Sequence, residues 1–204
     1  LDWVGHSATA EEYRSIVRSI SDSLDFLETV SGAPVHKTQR ADIYSAHEGL
    51  HLHYEQAQTR YLDRRERWYN LTTHFPWIGM RTAQLDGAHV EFFRGIANPL
   101  GIKIGPGMTR EWLQGLIQVL NPNNEPGRLT LISRFGAGNV EKHLPKLLRA
   151  VKREGRKVVW ACDPMHGNTI SSESGYKTRP FDRILSEVQD FFAAHRAEGT
   201  HPGG

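Results

Sequence analysis

The stretch K-V-V-W-A-C-D-P-M-H-G-N-T-I-S-S-E-S-G-Y-K-T-R-P-F, Lys157 to Phe181, decides how the chain is read. Val158-Val159-Trp160-Ala161 is a short apolar run, rich in β-branched and aromatic residues, between a basic stretch and Asp163-Pro164. That pattern predicts a buried strand. Asp163, His166, Asn168 and Thr169 follow its end directly, and Lys177-Thr178-Arg179 precedes an amphipathic helix. A strand that runs out into metal-ligand and phosphate-binding residue types is how a βα-barrel presents chemistry at its C-terminal rim. Taken singly, the Asp or the His reads better as part of a polar βα loop that only caps a helix.

Outward from this stretch the same unit repeats. Upstream, Leu129 to Ser133 predicts a strand with Arg134 at its end, and Leu100 to Ile104 another with Lys103 embedded in it. Between them Thr109 caps a helix through Trp112, Leu113, Leu116, Ile117 and Leu120, which Pro122 ends. Val140, Leu144, Leu147, Leu148 and Val151 mark the next helix, where Pro145 is expected to kink it or push its ordered start toward Leu144. Phe181, Ile184, Leu185, Val188, Phe191 and Phe192 predict the last one.

The earlier half is less regular. Thr9-Ala10-Glu11-Glu12 reads as a capping box opening a helix with Tyr13, Ile16, Val17, Ile20, Leu24 and Leu27 on one face, stopped by Gly32 and Pro34. Asp42 to Ala46 predicts a short strand with His47-Glu48 at its end, then a helix through Tyr54, Ala57 and Tyr61. The charge run Asp63 to Arg67 reads as an exposed helix end or loop. Trp68 to Ile78 predicts a strand arriving at Gly79-Met80-Arg81, and Thr82 to Ala97 a helix. Strand–helix alternation at a period of roughly 30 residues argues for an α/β fold with a parallel sheet of right-handed units. Five strands are expected where a closed (β/α)8 barrel needs eight, so the expectation is one domain over residues 1–204 forming part of a TIM barrel.

Composition narrows the functional classes. The chain has 204 residues, 38% hydrophobic and 24% charged, the profile of a globular domain. A net charge of +2 with no clustered basic face speaks against nucleic acid. No apolar run is long enough to span a membrane, and no signal peptide is visible. The single cysteine, Cys162, forms no internal disulfide, so a reducing, cytoplasmic setting is the default, and its place on the buried strand reads as core. The ends, Leu1 and Thr200-His201-Pro202-Gly203-Gly204, suggest an excised piece or a shortened relative, with the last five residues a turn-like tail.

Arg81, Lys103, Arg134, Lys177 and Arg179 all fall at predicted strand ends or loops. A lysine inside Gly-Ile-Lys-Ile-Gly is costly to bury unless an anion neutralises it. That anion is either a buried carboxylate or a ligand. Together the cations suggest a site for a ligand with several negative charges, for which the planar guanidinium fork is suited.

The string D-P-M-H-G-N-T with G-Y-K-T-R-P-F-D-R, together with W-I-G-M-R-T-A-Q-L-D-G-A-H-V-E-F-F-R-G-I-A-N-P-L-G-I-K-I-G-P (Trp77 to Pro106) and P-G-R-L-T-L-I-S-R (Pro126 to Arg134), resembles the type II 3-deoxy-D-arabino-heptulosonate 7-phosphate (DAHP) synthases. The likeness runs nearly end to end in this chain but covers only the middle to late part of the family's sequence. It implies condensation of phosphoenolpyruvate with erythrose 4-phosphate to DAHP and phosphate, the entry to the shikimate pathway. It further implies a divalent metal, Mn2+ or Co2+. A homo-oligomer is expected on a different ground: a sheet that stops short of closure leaves edge strands with unpaired N–H and C=O groups. By similarity, Arg81, Lys103 and Arg134 hold phosphoenolpyruvate, His166 is a metal ligand, and Lys103, Arg134 and His166 carry catalysis. Glu48, in A-H-E-G-L, matches a family carboxylate near that site, while Lys177 and Arg179 are candidates for the erythrose 4-phosphate phosphate. The family has an acidic residue where Met80 stands. Its upstream cysteine ligand and one arginine fall before Leu1, and its later acidic ligands after Gly204. A non-catalytic relative that binds an anionic metabolite or a partner chain is the alternative.

Overall fold

The computed structural model describes residues 9–32 and 42–204. The chain divides into two units, Leu1–Ile43 and Tyr44–Gly204. In the first, α1 (Ala10–Ser31) starts where the capping box predicts, although the Thr9 side chain makes no capping hydrogen bond. Gly32 ends the helix at a positive φ of 63°, its N–H donating to Glu28 O. Pro34 lies outside the described residues. None of the helix is buried, so its apolar face stands exposed.

From Tyr44 the chain runs β1 (Ala46–Glu48), α2 (Leu52–Ala57), β2 (Thr59–Leu62), β3 (Arg67–Asn70), β4 (Phe75–Ile78), α3 (Ala88–Arg94), β5 (Leu100–Ile104), α4 (Arg110–Leu120), β6 (Leu129–Ser133), α5 (Val140–Arg153), β7 (Val159–Cys162), β8 (Ile170–Ser171), β9 (Lys177–Thr178) and α6 (Phe181–Glu198). Strands β1, β4, β5, β6 and β7 form a single sheet in that order, every neighbouring pair parallel. The order never reverses, so all five strands deliver their C-terminal ends to one edge. This is an α/β fold of the kind from which a (β/α)8 barrel is built, and among the described residues it does not close. The pairs β2–β3 and β8–β9 are antiparallel hairpins outside the sheet.

Side chains alternate across a strand, and the sheet obeys that rule. Ile78, Leu100, Ile102, Ile104, Leu129, Leu131 and Trp160 share a core with α3, α4, α5 and α6, through residues such as Phe93, Leu116, Leu147 and Phe191. Burying each such side chain stabilises the fold by about 1.5–3 kcal/mol. The opposite face carries Trp77, Lys103, Thr130, Ile132 and Ala161, all partly exposed. Gly101 belongs to that face, and a Cβ there would lie 2.8 Å from Ile132 Cδ1 and 2.9 Å from the Phe75 ring.

Several predicted elements shift. The first strand begins at Ala46 rather than Asp42, so His47 and Glu48 lie within it. Tyr61 is in β2, not in the preceding helix, and the charge run forms the hairpin turn that leads into β3. Trp68 to Ile78 is therefore two strands, and the helix expected from Thr82 is only Ala88–Arg94, starting after Gly87. By contrast β5, β6 and the Thr109 cap form as read, with Trp112 N–H donating to Thr109 Oγ1 at 3.1 Å. Pro145 sits inside a helix that already runs from Val140, because Val140, Leu144, Leu147, Leu148 and Val151 bury one continuous stripe. The tail is no free turn. Gly203 N–H donates to Trp160 O and Cys162 N–H to Gly204 O, both at 2.8 Å, so it pairs along the outer edge of β7.

His195 on α6 is fully buried against Phe191 and Trp160, with Nδ1 on Thr200 Oγ1 at 2.8 Å and no partner for Nε2. Burial, helped by the charge of His201, lowers its pKa to about 4. A base with a folded pKa below its unfolded value stabilises fully above the unfolded value, near 6.5, and loses that contribution as pH falls toward 4. The loss is roughly 3 kcal/mol across this window. Urea unfolding at a series of pH values should show it, and His195→Phe should flatten the slope between pH 6.5 and 4.

Candidate functional site

The parallel order brings five strand ends to one edge, and one buried ion pair links two of them. Lys103, next to last in β5, reaches across β6 to Asp163, the residue after β7, and its Nζ donates to Asp163 Oδ2. The two side chains are 14% and 9% exposed, so the anion that neutralises the lysine is a carboxylate of the chain itself. Register makes the reach possible: Lys103 stands opposite Ile132, and Ile132 opposite Ala161, two residues before Asp163. The indole of Trp77 lies 5.7 Å from the ammonium and adds a cation–π contact.

Asp163 is the hub. Its Oδ1 accepts the backbone N–H groups of Met165 and His166, at 3.0 and 3.3 Å, and its Oδ2 also faces His166 Nδ1 at 2.7 Å. Burial raises its carboxyl, but the hydrogen bond and charge of Lys103, the Met165 amide and His166 outweigh that and hold it below the usual value. The His166 ring, 63% exposed, thus has Nδ1 committed and presents Nε2 outward. An imidazole braced by a carboxylate in this way fits one ligand position of a metal. Among the described residues no group of three His, Cys, Asp or Glu could hold an ion, so the bracing supplies one ligand and not a complete set.

Arg134 follows β6 and closes the cluster. Its Nη2 donates to His166 O at 2.9 Å, while its Nε is buried with no hydrogen-bond partner. Such an atom in a folded protein calls for a further acceptor. Met80 packs against the core, with Sδ 3.7 Å and Arg134 Nη1 3.5 Å from the point where Gly105 would carry a Cβ. Arg81 is exposed in the turn after β4. Glu48 lies over Gly79, whose Cβ would fall 2.0 Å from Glu48 Oε1, which places this carboxylate beside the Arg81 turn. Arg179 joins the loop after β7 by donating from Nε to Met165 O at 3.2 Å. Lys177 stands exposed on β9 and takes no part in this network among the described residues.

Two further residues of the site are buried, and one of them, Glu187, escapes a search for exposed cations and ligands. Glu187 on α6 is fully buried; its Oε1 accepts the N–H of Phe135 and of Gly136, at 2.7 and 3.0 Å. Its Oε2 accepts Asn168 Nδ2 at 2.6 Å. Burial raises the Glu187 carboxyl above the usual range, against these three bonds. Asn168, in the D-P-M-H-G-N-T string, accepts Ala137 N–H at 2.9 Å and donates to Pro164 O at 2.8 Å. A signal was available for Glu187: it falls three residues after Ile184 and four before Phe191, on the apolar stripe of its helix. Cys162, as expected of a core residue, is partly buried, and burial pushes its thiol up to about 12.

A family model described as the class-II DAHP synthetase family matches residues 1–204. Among the relatives, a probable phospho-2-dehydro-3-deoxyheptonate aldolase, chloroplastic, from Catharanthus roseus is 47% identical over 204 residues. Phospho-2-dehydro-3-deoxyheptonate aldolases from Mycolicibacterium smegmatis and Streptomyces coelicolor are 46% and 45% identical over 208 and 203 residues. All of this chain is covered in each case, against 41%, 45% and 45% of the relatives, so it spans less than half of their length. Among the described residues no helix is long and apolar enough to cross a membrane.

The ion pair generates a stability prediction. Lys103→Met leaves Asp163 buried beside one cation fewer and is expected to lower the unfolding free energy by about 3 kcal/mol in urea titrations, the usual result of breaking a buried pair. Lys103→Met combined with Asp163→Leu should cost clearly less than the single change, because no lone charge then remains buried.

Proposed function

The chain belongs to the class-II DAHP synthetase family, and from that premise we propose that its strand-end cluster binds phosphoenolpyruvate for condensation with erythrose 4-phosphate. The observation that carries the reading is Arg134: a guanidinium fixed on His166 O, beside the Lys103–Asp163 pair, with a buried Nε that lacks an acceptor. A carboxylate or phosphate oxygen at that nitrogen supplies what the protein does not, in a charge-assisted bond stronger than a neutral one. Lys103 offers a second positive charge and Arg81 a third at the neighbouring strand end.

In the reaction the enol carbon of phosphoenolpyruvate attacks the aldehyde carbon of erythrose 4-phosphate. Water then adds at the cationic carbon left behind, and phosphate departs. Lys103 and Arg134, held by Asp163 and His166 O before substrate arrives, stabilise the anionic groups without reorganising. Asp163 keeps the His166 ring oriented and its Nδ1 occupied. His166 Nε2 would be one ligand of a divalent ion, manganese or cobalt, whose chemistry is that of a Lewis acid on the aldehyde oxygen. Lys177 and Arg179, on the hairpin side of the same rim, are the cations assigned to the erythrose 4-phosphate phosphate, and Glu48 is placed to orient the Arg81 turn.

One observation favours a second reading, in which the chain binds the anion without turnover. The thioether of Met80 occupies the position where the family carries an acid, and a thioether cannot accept a strong hydrogen bond from Arg134.

One experiment tests the anion site that both readings share, and a second separates them. Calorimetry with phosphoenolpyruvate should show binding that Lys103→Ala and Arg134→Ala each weaken by about 1.5–3 kcal/mol, as charge-assisted bonds do. Unchanged affinity in both variants removes the anion site. In a full-length context, Met80→Glu puts a carboxylate near Arg134 and is expected to raise the condensation rate by about tenfold, about 1.4 kcal/mol at the transition state. A rate that stays flat or falls in phosphate-release assays identifies Met80 as a packing residue.

A further inference from the structure

We propose that Glu187 is a positioning residue for this site: one buried carboxylate sets the spacing of the two loops that carry Arg134 and His166. The inference rests on the anion-binding reading for its ligand, but not for its geometry. Glu187 Oε1 takes the first two amides after Arg134, those of Phe135 and Gly136. Its Oε2 takes Asn168 Nδ2, and Asn168 in turn holds Pro164 O on its own loop and Ala137 N–H on the other. Thus each loop is tied to the carboxylate and, through Asn168, to its neighbour. Where they meet the backbones touch. A Cβ on Gly167 would lie 2.5 Å from Gly136 N, and one on Gly136 would lie 2.7 Å from Gly167 O. The Arg134 Nη2 to His166 O bond spans the same seam.

No surface role competes for Glu187, which is 0% exposed and faces three donors from two loops. A salt bridge on the outside of a helix would be free to move. This carboxylate is not, because any shift leaves at least one buried donor without an acceptor. The nearly isosteric Glu187→Gln keeps an oxygen for the Phe135 and Gly136 amides but turns an NH2 toward the NH2 of Asn168. Flipping Asn168 does not help, since its nitrogen would then face Ala137 N–H.

The test uses two readouts on the purified protein: phosphoenolpyruvate affinity by calorimetry, and the Arg134 Nε–H resonance in 1H–15N spectra. Glu187→Gln is expected to weaken phosphoenolpyruvate binding about tenfold and to move the Arg134 resonance. Asn168→Asp in that background restores a donor–acceptor pair and should recover part of both. Val151→Ala, a cavity in α5 away from the loops, should lower thermal stability and leave both readouts in place. Should Glu187→Gln fail to fold, Asn168→Ala, which removes the bridge from Glu187 to Ala137 N–H and Pro164 O, carries the same expectation. Wild-type affinity and an unmoved resonance in the folded variants overturn the positioning role. A parent protein that ignores phosphoenolpyruvate while the resonance still moves supports the positioning role and overturns only the ligand.

Discussion

The Lys103–Asp163 pair is the contact on which the architecture of the rim depends. Two opposite charges from strands that are not neighbours meet on the less buried face of the sheet, with β6 between them. They can meet only if β5, β6 and β7 are parallel and in register, so the pair reports correct assembly of three βα units at once. It also divides the sheet by chemistry. One face is sealed by apolar residues under the helices, and the other, partly exposed, carries Lys103 and Thr130 among Trp77, Ile132 and Ala161. Buried charges of this sort add little net stability over apolar replacements, yet removing one partner is costly. Their value lies in fixing where two cations and an imidazole stand.

Around that pair the site is a set of nested constraints. Asp163 answers to Lys103, to two amides of its own loop and to His166. Arg134 answers to His166 O, and the loops of both answer to Glu187 and Asn168. Exposed groups at the margin, Arg81, Lys177 and Arg179, carry charge with fewer constraints. The interior is thus rigid and its cationic border looser.

How much of this was legible in the sequence varied with the physical signal. Strands β5 and β6 read true because short apolar runs bounded by Gly, Pro and Arg have few alternatives. The β2–β3 hairpin was hidden because Tyr61 and Trp68, which pair across it, sit on either side of a charge run that resembles a helix end. Thr82 to Ala97 looked helical by composition, but Gly87 delays the start and Gly95 closes the end, leaving seven helical residues. Among site residues, the cations were visible because a lysine in an apolar strand is anomalous. Asp163 was seen as a polar group at a strand end, but its partnership with Lys103 depends on a register that no local pattern encodes. Glu187 and His195 share one lesson: polar residues on the apolar stripe of α6 are where the core makes its own hydrogen bonds.

The contact between Gly136 and Gly167 bears on how such a rim can change. Two backbones in van der Waals contact behave as a dovetail joint: neither half can be recut without the other. Any side chain at either position would drive the loop after β6 off the loop after β7, and with it Arg134 off His166. A loop transplanted from another scaffold would therefore fit only with its mate. The natural module for redesign is the pair of βα loops together with the α6 turn that carries Glu187, not the single loop that holds a chosen ligand.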